Sequence, residues 1–288
     1  MGLYGNRISA FSYYGGKAMH LPWLLPILYP PGKERRYVEP FCGSMAVALN
    51  RDHTSDRRCV LVNDIDGCVV NFFKILRDRP DELIRRICLT PQARNEWQAA
   101  TEKDGDLDFI KSDPVEAARL FFVAVTQSFS NIRGGRSGWG YGGMKDQLNK
   151  RAKRLGDVAA ALMDIQFENR DAFELIRRHA RPRVMLYLDP PYCATTRITD
   201  NCYQHDGFTD SDHEQLAEQI KETDAWVALS GYDNEIYNDI LSRWGKHEQH
   251  TRSATHNQRK AAHRKECVWL NYRPNYRPVK SPSSRQIR

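Results

Sequence analysis

The sequence predicts an α/β fold built on a largely parallel sheet, and three observations predict it. Short apolar runs alternate with segments of helical spacing, the pattern of a sheet covered by helices on both faces. Two of the runs end in a carboxylate, Asp64 and Asp189, at the strand ends where parallel sheets place ligands. One interval, 79–164, breaks the alternation and reads as mostly helical. The sheet is therefore expected from 1–78 and 165–272, with a helical domain inserted between them and a basic tail at 273–288.

The elements follow in order. Tyr37-Val-Glu39-Pro-Phe41 reads as a strand running into the turn Cys42-Gly43-Ser44, then a helix through Met45–Asn50. Cys59–Val62 is a second buried strand with Asn63-Asp64 at its end, followed by a helix over roughly 69–77. Val184–Leu188 is a third, ending at Asp189, and Trp226–Ser230 and Glu266–Asn271 are two more. Continuous apolar runs of this kind suit strands buried on both faces. Asp212–Thr223 has helical spacing with Ser211 as its candidate cap. Within the interval, Asp81–Cys88, Pro114–Gln127 (capped by Ser112 or Asp113) and Asp146–Met163 read as helices. Residues 130–143 hold six glycines in fourteen, which excludes a helix or a central strand and predicts an irregular loop.

With 288 residues and 41% hydrophobic content, the chain has enough apolar material for a packed core. It has no run of the ~20 apolar residues that a membrane span needs. The first residues lack the apolar stretch of a signal peptide, so a cytoplasmic protein is expected. Seven cysteines, scattered and without a Cys-x-x-Cys pair, point to free thiols in a reducing compartment. Cys202 and His205 have ligand-like spacing, with Cys193 nearby, but isolated pairs of this kind are mostly accidental, and no metal is expected.

The formal charge is +7, and its distribution is uneven. Residues 250–288 carry ten Lys/Arg against the single acid Glu266, a net +9, so the other 249 residues sum to −2. Within those, 129–154 carry seven Lys/Arg against Asp146, a net +6. Two basic patches suit a polyanionic partner, although a basic tail alone is often only solvated.

The strongest chemical signal is Asp189-Pro190-Pro191-Tyr192 directly after an apolar strand. Consecutive prolines fix the backbone and remove two N–H donors, leaving carbonyls outward. An amine target needs that arrangement: acceptors for its N–H bonds and an aromatic face for its ring. An exocyclic adenine amine is a poor nucleophile because its lone pair is delocalised. Accepting its protons at the Asp189 carboxylate and the Pro190 carbonyl favours a pyramidal nitrogen, and Tyr192 offers a stacking surface worth ~1–3 kcal/mol per base. Upstream, Glu39, Phe41 and Gly43 surround a tight turn after the first strand, and Asp64 stands where a carboxylate would hold ribose hydroxyls. Tyr13-Tyr-Gly-Gly-Lys17 adds an aromatic, a flexible glycine pair and a cation. Each has a plain alternative: a surface Pro-Pro turn, a helix cap at Asp64, an ordinary Gly-Gly turn.

Taken in order, these segments resemble the Dam-like family of DNA N6-adenine methyltransferases. The matching pieces are Tyr13–Lys17, Val38–Ser44, Asn63-Asp64-Ile65, Asn169-Arg-Asp171-Ala-Phe173 and Asp189–Tyr192. Phe208 with Asp212-His213, Leu229-Ser-Gly231 and Glu266–Asn271 are similar to later landmarks. The resemblance spans about residues 11–272. It implies a Rossmann-like S-adenosylmethionine-dependent methyltransferase sheet with an inserted helical target-recognition domain. Tyr13, Lys17, Glu39, Phe41, Gly43, Asp64, Asp171 and Asp189 would then serve the cofactor, and Asp189 to Tyr192 the catalysis. It further implies double-stranded DNA as partner, held by the inserted segment through Arg133, Arg136, Trp139, Tyr141 and Lys145.

On this reading the methyl group passes in line, without metal or covalent intermediate, and the protein is a monomer or weak dimer. No nuclease motif accompanies it, and a phage or restriction-modification setting suits an enzyme this small. The tail is expected to be flexible and to add non-specific phosphate affinity. Cytosine N4, RNA and a catalytically silent DNA-binding relative are the alternatives, and Asp189 rather than serine favours adenine. Two departures stand out. Met45 occupies a place where the family carries a second glycine, which puts backbone approach to the cofactor in question, and Tyr13 stands where tryptophan is common.

Overall fold

The computed structural model describes residues 8–11, 15–52, 59–129, 133, 138–140, 144–192, 208–252 and 263–276. A 3-10 turn (Lys17–Met19) leads into α1 (Leu21–Ile27), β1 (Arg36–Glu39), α2 (Ala46–Asn50), β2 (Val60–Asn63) and α3 (Gly67–Asp78). Then come α4 (Pro80–Leu89), α5 (Arg94–Glu102), α6 (Leu107–Ser112), α7 (Pro114–Gln127) and α8 (Met144–Leu162). The chain continues through β3 (Gln166–Glu168), α9 (Ala172–His179), β4 (Val184–Leu188), α10 (Asp210–Lys221), β5 (Trp226–Tyr232), α11 (Glu235–Ile240), β6 (Gly245–Arg252) and β7 (His263–Leu270).

The seven strands form one sheet in the order β3-β2-β1-β4-β5-β7-β6. Pairing is parallel from β3 through β5, and β7 runs antiparallel to both β5 and β6. The chain starts at the centre with β1, works outward to β3, then returns to β4 on the other side of β1. That reversal leaves the carboxyl ends of β1 and β4 side by side, the crevice where open α/β sheets bind ligands.

Strand side chains alternate between two cores, as the pleat requires. Tyr37, Val60, Val62, Met185, Tyr187 and Ala228 enter one; Val38, Leu61, Leu186, Leu188, Val227 and Leu229 enter the other. Helices α9 and α10 cover the second face through Leu175, Ile176, Leu216 and Ile220. The first face is covered by α3, by α4 and by the two long helices of the interval 79–164. Phe72 of α3 meets Phe121 and Phe122 of α7, Phe73 packs beside Phe72, and Leu155, Val158 and Leu162 of α8 join the same cluster. The helical interval thus shares its principal core with the sheet. Outward of α7, Ala100, Leu120, Val123, Ala124 and Phe109 form a small satellite cluster with α5 and α6.

Local sequence explains the helix starts. Asp113 accepts from the Glu116 N–H ahead of Pro114, one of the two caps expected. For α10 the cap is Thr209 rather than Ser211, in a reciprocal box with Asp212. Strands β3 and β6 have no counterpart in the sequence reading. They form the two sheet edges, and Gln-Phe-Glu and Gly-Lys-His-Glu-Gln-His-Thr-Arg lack the apolar run that marks a buried strand. No helix among the described residues is long and apolar enough to cross a membrane.

Candidate active site

The carboxyl ends of β1, β2 and β4 deliver Glu39, Asp64 and Asp189 to one open cleft with about 860 Å³ of empty space. Lys17, Phe41, Gly43, Pro190, Pro191 and Tyr192 also line it. Segments far apart in the chain therefore meet at one place because the parallel strands all end on the same side.

The turn after β1 is built for close approach. Gly43 has φ 46° and Met45 φ 55°, both left-handed, the region that glycine adopts without steric cost. Met45 holds the conformation of the missing glycine while its side chain, fully buried, joins the core away from the cleft lining. The Gly43 N–H donates to Asp64 Oδ2 at 2.8 Å, and the Asp66 N–H to Oδ1 at 3.0 Å. Both oxygens of the Asp64 carboxylate are thereby oriented. Asn63 ties three loops together, donating to the carbonyls of Pro40 (2.9 Å) and Arg170 (3.0 Å) and accepting from the Arg170 N–H (2.9 Å). Asn169 donates to the carbonyls of Asp64 (2.7 Å) and Ile65 (3.0 Å).

Around the Asp-Pro-Pro-Tyr turn the contacts are ionic. Lys17 Nζ lies 2.6 Å from Asp189 Oδ1 and 3.2 Å from Glu266 Oε1, and it also donates to the Tyr192 hydroxyl. That hydroxyl donates to Glu266 Oε1 at 2.6 Å. The Tyr192 ring packs edge-on against Tyr232 with centroids 4.4 Å apart. Tyr192 is 9% exposed and Asp189 18%, so the carboxylate, not the ring, is the more accessible part of the turn. Glu266 comes from antiparallel β7. Its local sequence shows only a strand, and the β5–β7 pairing brings it beside Lys17 and Tyr192, which line the cleft.

Burial of several acids in one place shifts their titration. Burial raises Asp189 to about 6, with Lys17 opposing and Glu266 adding to the rise. Asp64 also reaches about 6, through burial and the charge of Asp66. Glu39 rises to about 8 because it is buried and faces Asp189, against a hydrogen bond from the Tyr37 hydroxyl at 2.5 Å. Asp189 and Glu266 outweigh the effect of burial on Lys17 and hold its pKa above the ordinary lysine value.

Other sequence expectations land elsewhere. Asp171 is not in the cleft lining. It is exposed and caps α9, accepting from the Glu174 N–H at 2.9 Å. Arg133, expected at the DNA, lies inside the protein. Its guanidinium is 4% exposed, pairs with Asp66 Oδ2 at 2.6 Å and with Asp104, and lies 4.5 Å from the Phe121 ring centre. Two acids near the cleft hold a charge inside that the sequence alone assigned to a groove. Trp139 is half-buried, bridged to Ser128 across the base of the glycine-rich loop, with the Arg94 guanidinium 5.4 Å from its ring centre. Tyr13, Arg136, Tyr141, Cys193, Cys202 and His205 lie outside the described residues, as does the side chain of Lys145 in α8.

Residues 13–257 match the family described as D12 class N6 adenine-specific DNA methyltransferase. The chain belongs to this family. Among curated proteins it is also similar to the Type II methyltransferase M.MjaIII of Methanocaldococcus jannaschii, 22% identical over 226 residues that cover 73% of this chain and 78% of the relative. A D12 class enzyme transfers a methyl group to N6 of adenine in DNA. The resemblance drawn from the ordered motifs and the α/β fold expected with it both stand.

Proposed function

We propose that the cleft of this D12 class methyltransferase binds S-adenosylmethionine beside an everted adenine, with Asp189 and Pro190 gripping the target amine. One observation carries the reading. The Asp-Pro-Pro-Tyr turn opens into a cleft lined, among the described residues, by Glu39, Asp64, Asp66 and Asp189 against one cation, Lys17. An acid-rich lining suits a donor that is cationic at sulfur, and the oriented Asp64 carboxylate suits ribose hydroxyls. When bound, the donor supplies an activated methyl carbon: its bond to sulfur breaks, the bond to N6 forms, and the amine later releases a proton.

The protein's part is positioning and polarisation. Asp189 Oδ1 is taken up by Lys17, while Oδ2 accepts no hydrogen bond from a described residue, so it serves as the acceptor for one amine proton. The Pro190 carbonyl takes the other, on a backbone that two prolines hold rigid. Eversion from the duplex exposes the amine, as base-modifying enzymes require. Glu39, Phe41, Gly43, Asp64 and Lys17 hold the donor. Arg136, Trp139, Tyr141 and Lys145, with the basic tail, are assigned to double-stranded DNA.

Asp189→Ala is expected to reduce methyl transfer at least a thousand-fold, about 4 kcal/mol of barrier, while DNA affinity stays within several-fold. Labelled methyl transfer to DNA and a mobility-shift titration check both. Near-normal turnover by the variant ends the assignment.

A further inference from the structure

Lys17, the turn residues Asp189 and Tyr192, and Glu266 come from three separate segments and close on one another inside the protein. Their charges do not cancel. The Lys17 ammonium is shared by two carboxylates, Asp189 at 2.6 Å and Glu266 at 3.2 Å, so the ionised group carries one surplus negative charge. The Tyr192 hydroxyl beside it donates to Glu266, and the Tyr187 hydroxyl is hydrogen-bonded to Ser230. Glu39, an acid that faces Asp189, titrates at about 8 and is mostly protonated at pH 7.5, while Asp64 and Asp66 lie elsewhere in the cleft lining. Glu266 itself is 2% exposed. A buried charge is screened far less than one at the surface.

Resting on the donor assignment above, we infer that Glu266 is a positioning residue with a second effect: its surplus charge makes the cleft favour the cationic donor over the spent, neutral thioether. Methyl transfer removes the positive charge from sulfur. A buried carboxylate whose counter-ion is already shared interacts with that charge before the reaction and has nothing to meet afterwards. Product release is favoured by the same contact that favours donor binding. Through its bonds to Lys17 and Tyr192, Glu266 also sets the angle at which Asp189 faces the amine. It touches neither substrate.

Glu266→Gln removes the charge and keeps an acceptor for the Tyr192 hydroxyl and Lys17. Calorimetric titration of the full chain at pH 7.5 with S-adenosylhomocysteine, and with a stable analogue bearing an ammonium in place of the sulfonium, gives a ratio of two dissociation constants. The wild-type ratio is expected to favour the charged ligand, and the Gln variant to narrow it by about five- to twenty-fold, the size of one charge acting over ~10 Å at an effective dielectric near 20. Glu266→Asp keeps the charge and shortens the reach. It is expected to hold the ratio near wild type while turnover falls. An equal loss of affinity for both ligands in the Gln variant would reduce Glu266 to a structural part, and loss of discrimination in the Asp variant would make geometry the cause; either overturns the inference. A wild-type protein that binds neither ligand would instead overturn the donor assignment.

Discussion

Met45 holds a left-handed backbone at φ 55°, a conformation that costs an L-residue about 1–2 kcal/mol relative to the right-handed region. The surrounding core explains why it persists. The side chain is fully buried among the residues under the glycine turn, and truncating a buried Met costs about 2–5 kcal/mol. Met45→Gly relieves the strain and loses the packing, and the second term is larger. The variant is expected to be less stable by about 2 kcal/mol in urea titration, with the cleft backbone unchanged. An increase in stability would show that strain dominates. The apparent loss of a family glycine is thus a change in how the turn is supported, with the turn's shape retained.

At the scale of elements, the segment after α7 is fastened at its base and again at Arg133. The Phe129 N–H donates to the Gly138 carbonyl and the Gly140 N–H to Gln127, closing a short antiparallel stem, and Trp97 Nε1 donates to Ser128 Oγ at 2.8 Å. Arg133 then connects the loop to Asp66, which caps α3 and lines the cleft. Removing one partner of a buried pair leaves uncompensated charge and costs about 3–5 kcal/mol. Arg133→Met is expected to destabilise the protein by that order in chemical denaturation. Its slope of log K for DNA against log salt should stay at the wild-type value. A phosphate contact would instead lower the slope by about one, so a lowered slope would return Arg133 to the DNA.

On the scale of the whole molecule, the sheet brings the acids that follow β1, β2 and β4 to one end. Asp64 and Asp189 titrate at about 6 and Glu39 at about 8, all above their ordinary values near 4. Folded protein therefore holds these protons more tightly than the unfolded chain does. Their contribution to stability is full below about pH 4 and is lost as pH rises towards 6 for the aspartates and 8 for Glu39. A cationic donor favours the ionised forms and offsets the loss. The rise in Tm produced by S-adenosylmethionine is expected to grow from pH 5.5 to 8, with protons released on binding. Thermal melts with and without ligand at several pH values check it, and a shift independent of pH would mean that the acids do not face the donor.

The amino-acid sequence by itself determined the parallel core, because buried strands such as Val184–Leu188 are continuous apolar runs that no loop or exposed helix would carry. It determined the order of the motifs and hence the family, since Pro-Pro rigidity, a glycine turn and strand-end carboxylates are local properties. Tertiary structure alone decided three things. The edge strands β3 and β6 are polar and become strands only by pairing with a neighbour already in place. Helices α7 and α8 lie on the sheet because their apolar faces meet α3, a contact between segments tens of residues apart. Glu266 sits behind Lys17 and Tyr192 at the edge of the site, and Arg133 is buried, because a charge goes where its partners are. Lys17 and Tyr192, like Asp66 and Asp104, are distant in the chain and near only in the fold.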